Sequence, residues 1–536
     1  MSTCQVEMQR GRPCGKPLYD GQKCIFHSED SDKDADLFNS DLGNLLHRPP
    51  GNIHDLTKFV FLEKVTPFPT SLAGKAFFEG AVFLGDTSFL PSEFVSDVSF
   101  NEAIFQFDAK FAGTVFHRRA DFSGARFNGS VAFGGARFEH DATFHYAQFN
   151  GDVFFSYARF HNPGLSDVNR ENLRASFSHA RFCGKAQFDN VVFDIGFIFD
   201  QVICESDCDF SSSQFLRDLL FDSCQFQKKC SFLGVHFQGD AAFADSRFRD
   251  VSFKACQMRS GAQVRFDGEK TRDKEFSAFQ ESGDFRRVIH NDSCFMYFRM
   301  VDLKNAYFLE TDVSRYHFID VSWAARPGFF HRFVVWPKRL RDYLEKHQLR
   351  RALRDELSLP KDADASDFNL VAQLYRRLQA NYTANYQYSE AGDFYIGEQE
   401  MVRKAKGIIR RYLYVNYLYK LASLYGESFL RPLFWLSVVL LCFPMWLLYD
   451  GVKFTPVVET NYDWSWSPAD LLLFRLDYWE CFFRNLAVCS ISRSALNDSF
   501  TSSSQIGVVT LETILVITFA TLFVLALRRR FKRKSF

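Results

Sequence analysis

Phenylalanine recurs on a fixed beat through the first half of this chain. One series runs Phe78, Phe89, Phe100, Phe111, Phe122, Phe133, Phe144, Phe155; a second runs Phe83, Phe94, Phe105, Phe116, Phe127, Phe138, Phe149, Phe160. Each repeats every eleven residues, and the two interleave in alternating steps of five and six. Neither the helix period of about 3.6 residues nor the strand period of two divides that spacing, so an amphipathic helix and a plain meander are both disfavoured. A solenoid explains it: each step is one short face of a coil, with its ring pointing inward, and two eleven-residue units close a coil of about four faces.

The unit reads A-x-F-x-G-A-x-F-x-x-x, clearest in ADFSGARFNGSVAFGGARF (120–138). Small residues two places before a ring, such as Ala120, Ala125, Ala136, Ala142 and Ala147, are expected to pack inside as well. The bias is specific to one aromatic, with 64 Phe against 20 Tyr and 7 Trp. The segment 161–175 loses its Phe, yet the beat resumes in phase at Phe177, Phe182, Phe188 and Phe193. A degenerate coil with a surface excursion, rather than a domain break, is expected there. Cys204 occupies a Phe slot as a smaller substitute.

These motifs place residues 75–260 as similar to the pentapeptide-repeat family, in a Phe-centred variant. The resemblance implies a right-handed quadrilateral β-helix. Closing coils are expected over 301–323, with Leu303, Phe308, Val313 and Phe318 inward. Some soluble members of that family resemble duplex DNA in shape and charge. Here the repeats are only mildly acidic, and the whole chain balances 64 basic against 64 acidic residues, so nucleic acid is not an expected partner. A spacer or a protein-docking surface is the expected role.

Cys4, Cys14, Cys24 and His27 crowd a short segment too poor in apolar residues to build a core. Three thiolates and one imidazole around Zn²⁺ would fold it outright. All four ligands come from the chain, so the expected zinc is structural, not catalytic. Residues 1–30 are read as a zinc knuckle and 31–70 as a linker, with SEDSDKDADLFNSD (28–41) solvated. The chain has 13 widely scattered cysteines and opens on a polar stretch with no cleavable signal, which fits a reducing cytosol.

The solenoid is expected over 71–330, degenerate after 260, and a helical connector over 337–431. Phe368, Val371, Leu374, Tyr375 and Leu378 follow helical spacing, with Ser366 as the expected N-cap. Residues 381–406 read as a second helix, with Glu400 and Lys404 paired at i, i+4. Glu390, Glu398 and Glu400 are expected on a solvated face. No nucleotide loop, nucleophile–base pair or open metal site is apparent, so an enzyme is not expected. His117, His140, His145 and His179 fall between Phe slots and should be exposed turn residues.

The remainder, 432–536, is read as a membrane module with spans at about 432–449 and 506–527. Pro444 lies in the first, and Glu512 in the second. Lys and Arg are denser before the first span and after the second than in the loop between. That places both termini in the cytosol of a multi-pass protein of a bacterial inner membrane. The loop stretch 468–490 is amphipathic; it either lies in the interface or dips back as a half-helix. Residues 483–533 resemble the pore half of the bacterial two-helix ion-channel family. Ser490, Arg493 and Glu512 are the pore candidates that the resemblance implies. The stretch SISRSALNDS (490–499) departs from a potassium filter of TVGYG type. Glu512 either faces a bundle interior, paired with Arg493 or a neighbouring subunit, or sits near the outer interface and reaches water. The expected partners are the bilayer, a cytosolic protein and further copies of the chain.

Overall fold

In the computed structural model the described residues are 3–47, 53–63, 68–89, 92–161, 173–259, 261–268, 278–290, 293–326, 350–407, 415–449, 503–532 and short pieces between 453 and 486. They divide into two units, Met1–Pro360 and Lys361–Phe536.

The first unit is a β-solenoid of about eleven turns. Each coil lays down four strands of about two residues. Each strand pairs in parallel with its counterpart one coil away: Ala120 with Ala142, Arg126 with Gln148, Val131 with Val153, Arg137 with Arg159. Two faces form sheets of 12 and 10 strands, and the other two merge into one of 17. They merge because Gln225–Ser231, Arg247–Ser252 and Phe279–Asp284 run unbroken from one face to the next.

Side chains explain why such short strands hold. Each Phe on the beat is buried, and so are Ala120, Ala125, Ala136, Ala142 and Ala147. Rings one coil apart lie nearly parallel, as in Phe78–Phe100, Phe100–Phe122 and Phe122–Phe144 at 4.6, 4.9 and 4.9 Å. That distance is set by the strand spacing of about 4.8 Å. Rings of adjacent columns meet edge to face, as in Phe111–Phe122 at 5.5 Å and 84°. Both arrangements satisfy the aromatic quadrupole. Outside, polar side chains also form ladders: Asn150 donates to Asn128, and Asn128 to Gln106, at 2.9 and 2.8 Å. At one corner the coils approach so closely that a Cβ on Gly151 would lie 2.4 Å from the Gly129 carbonyl oxygen.

The ladder runs straight across the excursion. Val153 pairs with Ala186, and Phe155 stacks on Phe188 at 4.9 Å. There is no domain break; residues 162–172 themselves lie outside the described set. Cys204 is buried in its Phe slot, as expected. The missing ring is replaced by a neighbour. Phe199 turns to stack on Phe182 and Phe226, at 5.7 and 6.4 Å, and Phe197 moves between Phe177 and Phe221.

The solenoid begins earlier than expected. His54–Asp55 already pairs with Ala76–Phe77, and Val60–Phe61 with Val82–Phe83. Residues 31–70 are therefore not a linker. Helix α1 (Ala35–Leu46), capped by the Asp34 carboxylate, buries Phe38, Leu42 and Leu46 within the same segment. At the far end Leu303, Phe308, Val313 and Phe318 point inward as read from the sequence. Beyond them the pairing changes sense, since Ala324–Arg326 runs antiparallel to Arg350–Ala352. Helix α2 (Arg354–Leu357) follows. Its Asp355 carboxylate accepts from Phe308 N and Leu309 N at 3.0 and 3.1 Å. Glu356 is buried between Arg326 and Arg350. The stretch after 350, expected in the connector, thus closes the solenoid instead.

In the second unit, helix α3 (Ala365–Ala384) packs on α4 (Tyr388–Lys404), with Tyr382 and Phe394 rings 5.0 Å apart. The N-cap of α3 is Asp364, in a capping box with Asp367, and not Ser366. A carboxylate at N3 reaching back to the cap explains the shift. The expected 381–406 helix is split, because the chain turns at Tyr386 with φ of 60°. Helix α5 (Val415–Ser423) leads to α6 (Leu430–Tyr449), which contains Pro444; α7 (Ser503–Lys532) follows. Leu430–Leu447 and Gly507–Arg529 are long and apolar enough to cross a membrane. Most of the 468–490 stretch lies outside the described residues; Tyr478 within it is helical and donates to Leu441 O at 2.9 Å.

Two outcomes are expected. Restoring the repeat with Cys204→Phe should destabilise the solenoid by about 1–3 kcal/mol, because Phe199 already fills that space; a lowered urea midpoint of the β circular-dichroism signal checks this. Burial pushes Asp355 up to about 6, against the two backbone N–H groups that pull it down. A raised carboxyl pKa contributes stability that is full below about pH 4 and is lost as pH rises through about 6. The Asp355→Asn protein should lack that loss, worth about 3 kcal/mol, when the two midpoints are compared across pH 4–7.

Candidate metal centre at the first coil

The N-terminal segment is built of tight turns. Cys4 N donates to Lys16 O, and Cys14 N to Val6 O, at 2.8 and 2.9 Å. These bonds bring Cys4 beside Cys14 across a narrow ribbon. His27 and Cys24 share one turn, with His27 N donating to Cys24 O at 3.0 Å. The result is a cluster in which the donor atoms of Cys4, Cys14, Cys24 and His27 all lie within 4.8 Å of one another.

The separations suit a metal ion. Cys14 Sγ and Cys24 Sγ are 3.7 Å apart; His27 Nδ1 lies 3.5 Å from Cys4 Sγ and 3.1 Å from Cys24 Sγ. Tetrahedral Zn²⁺, with bonds of about 2.3 Å to sulfur and 2.0 Å to nitrogen, would set edges of roughly 3.8 and 3.5 Å. A partner fixes which ring nitrogen faces the thiols. His27 Nε2–H donates to Thr57 O at 3.1 Å, leaving the Nδ1 lone pair for the ion. The hydrogen bond between the Cys14 and Cys24 sulfurs pulls Cys14 down and, with burial, pushes Cys24 up to about 11. Loading an ion therefore has to expel the thiol protons, so affinity should rise with pH.

The cluster can hold a metal, and its environment says what the metal would do. Cys4, Cys24 and His27 are buried and Cys14 is half-buried. Around them the knuckle locks onto the first coil. Val60 N donates to Phe26 O at 2.7 Å, and Lys33 Nζ donates to Ser28 O and Val60 O at 3.0 and 2.6 Å. Burial lowers Lys33 to about 8. Phe26 stacks on Phe59 at 4.5 Å, and the His27 ring meets Phe59 edge-on at 5.2 Å. Phe59 stands in the slot that later coils give to Ala81, Ala103 and Ala125. A ring fits there because the neighbour on that side is the knuckle, not another coil.

The other candidate residues fare differently. Glu512 is buried, with 1% exposure. Arg493 and Ser490 lie outside the described residues. Glu398 and Glu400 are not on a solvated face: Glu398 is buried against Arg376, and Glu400 against Arg403 and Lys420. Lys404 lies over the Phe368 ring, at 5.9 Å. Burial alone would raise Glu400, but Lys420 and Arg403 hold it at about 2. Only Arg403, three residues along the same helix, was available as a local signal for that cluster. The four histidines are half-buried, and three have partners on other turns: His117 bonds Glu139, His145 bonds Ser176, and His179 stacks on Tyr146. His140 bonds the adjacent Asp141. Thr57, which orients His27, was missed, since nothing in the sequence ties it to the cysteines.

A family model described as pentapeptide repeats (9 copies) matches residues 70–115, 111–159 and 210–257. Over these segments the solenoid carries pentapeptide repeats. The pentapeptide-repeat match breaks off over the stretch holding the excursion and the Cys204 rearrangement, where the beat is least regular. No curated protein and no solved structure matches the chain.

Protein loaded with Co²⁺ should show tetrahedral d–d bands and a thiolate charge-transfer band. Cys24→Ser should remove them or weaken Co²⁺ binding at least 100-fold, and leave Phe stacking beyond the second coil intact by circular dichroism.

Proposed function

We propose that this chain is a membrane-anchored pentapeptide-repeat protein whose solenoid serves as a docking or sensing surface for a cytosolic protein. A structural zinc at Cys4, Cys14, Cys24 and His27 holds its first coil closed. The observation that carries this reading is the pairing of a solenoid closed at both ends with two helices of membrane-spanning length and apolarity. With the ends covered, the four sides are left for a partner. The Lys- and Arg-rich flanks favour a topology with both termini in the cytosol of a bacterial inner membrane. No step in this role needs a catalytic group.

A second reading is an oligomeric two-helix pore gated by the cytosolic unit. It draws on one observation, the burial of Glu512 inside the second span. Carboxylates at that depth are costly and commonly line ion pathways.

The expected results separate the readings. The protein should stay with membranes after alkaline carbonate washing and carry a single zinc per chain by elemental analysis. Reconstituted in liposomes, it should give no ion flux above empty vesicles. Flux that is lost in Glu512→Ala would replace the anchor reading with the pore.

A further inference from the structure

The chain enters the first span through a strained turn. Leu424 and Tyr425 both have positive φ, 52° and 59°, and Gly426 follows at 81°. L-residues rarely adopt this region, and two in succession are rarer still. Gly426 is also closely approached: a Cβ there would lie 2.5 Å from the Tyr419 hydroxyl and 2.7 Å from Arg529 Nη1, so those side-chain ends would have to shift. Backbone strain of this kind persists only where the surroundings over-determine it.

Those surroundings are specific. The Tyr425 hydroxyl donates to Glu400 Oε1 at 2.8 Å. Glu400 Oε2 accepts from Lys420 Nζ at 2.9 Å and Arg403 Nη2 at 3.0 Å. Arg431, at the root of α6, donates to Lys420 O at 2.8 Å. Arg529, at the end of α7, donates to Tyr425 O at 3.3 Å. Trp435 Nε1 donates to Leu421 O at 3.0 Å. Helices α4 and α7 thus bond Tyr425 directly, α6 bonds the end of α5 at Lys420 and Leu421, and one buried carboxylate sits at the centre. An ordinary helix-to-helix turn needs none of this. A glycine or asparagine in place of Leu424 or Tyr425 would make the same turn without strain.

We propose that residues 424–426 form a sprung hinge at the root of the first span, held closed by the Glu400 carboxylate through Tyr425, Lys420 and Arg403. Releasing the carboxylate lets the turn relax, and α6 then changes its angle to α4. The hinge operates equally whether the spans conduct or only anchor. Glu400 stays ionised across the physiological range, so release comes through displacement of its partners rather than through acid.

Hydrogen exchange by mass spectrometry on full-length protein in lipid nanodiscs tests this. Glu400→Gln should speed amide exchange over 419–431 at least tenfold and leave 365–384 within twofold of the wild type. Tyr425→Phe removes only one hydroxyl and keeps every buried charge paired; it should speed the same amides about threefold. The deciding variant is Glu400→Gln with Leu424→Gly. If strain drives the opening, glycine relieves it, and the double variant should return to within threefold of the wild type. If the network is merely structural, glycine loosens the turn further and exchange rises again; that result overturns the proposal. Unchanged exchange over 419–431 in Tyr425→Phe overturns it too, even where Glu400→Gln fails to fold.

Discussion

The rise of one coil equals the distance at which two phenyl rings can stack. Everything in the first unit depends on that coincidence. Parallel strands sit about 4.8 Å apart whatever their sequence. A flat ring at an inward position then meets its neighbour face-on, as in Phe78–Phe100 and Phe83–Phe105 at 4.6 and 4.5 Å, and rings of the next column edge-on. Strands of two residues contribute few hydrogen bonds each, so the columns supply what longer strands would. This is why one aromatic dominates. Tyrosine would bury a hydroxyl, and tryptophan would not repeat at the required width.

Stacking of this kind has no natural stop, so the ends need devices of their own. At the start, Phe59 replaces the usual alanine, and the knuckle lays Phe26 over it. A segment with so little apolar area would not stay folded by itself; a metal ion would cross-link its four ligands. At the finish, the chain reverses its pairing sense, and Asp355 accepts the backbone N–H groups of Phe308 and Leu309. Open strand edges invite further pairing, and both arrangements occupy part of them.

How far the sequence carried can be seen residue by residue. The interior columns were legible because their beat is local and strictly kept. The first coil was not, because Leu56 and Leu72 fill the slots that Phe takes in later coils, and both are buried. Cys204 was legible as a slot, but its compensation was not: Phe197 lies off the beat, and Phe199 leaves its own column. The metal cluster was legible because its four ligands fall within one short segment. Its anchor on Thr57 was not, since that contact depends on the fold. Glu400 was misjudged for the same reason. Helical spacing shows which face a residue shares, and it is silent about Lys420 and Tyr425 arriving from elsewhere.

The reversal of strand direction at Ala324–Arg326 has a bearing on assembly. A parallel stack can in principle grow by accepting another molecule's first turn onto its last. Here Ala324–Arg326, just past the last solenoid strand, meets an antiparallel partner from its own chain, and the knuckle bonds the opening turn at Val60. Stacking of another molecule is therefore hindered where Arg350–Ala352 and the Asp355 helix lie against the last turns. Copies that associate side by side or through their apolar helices close into finite rings or pairs more readily than into fibres.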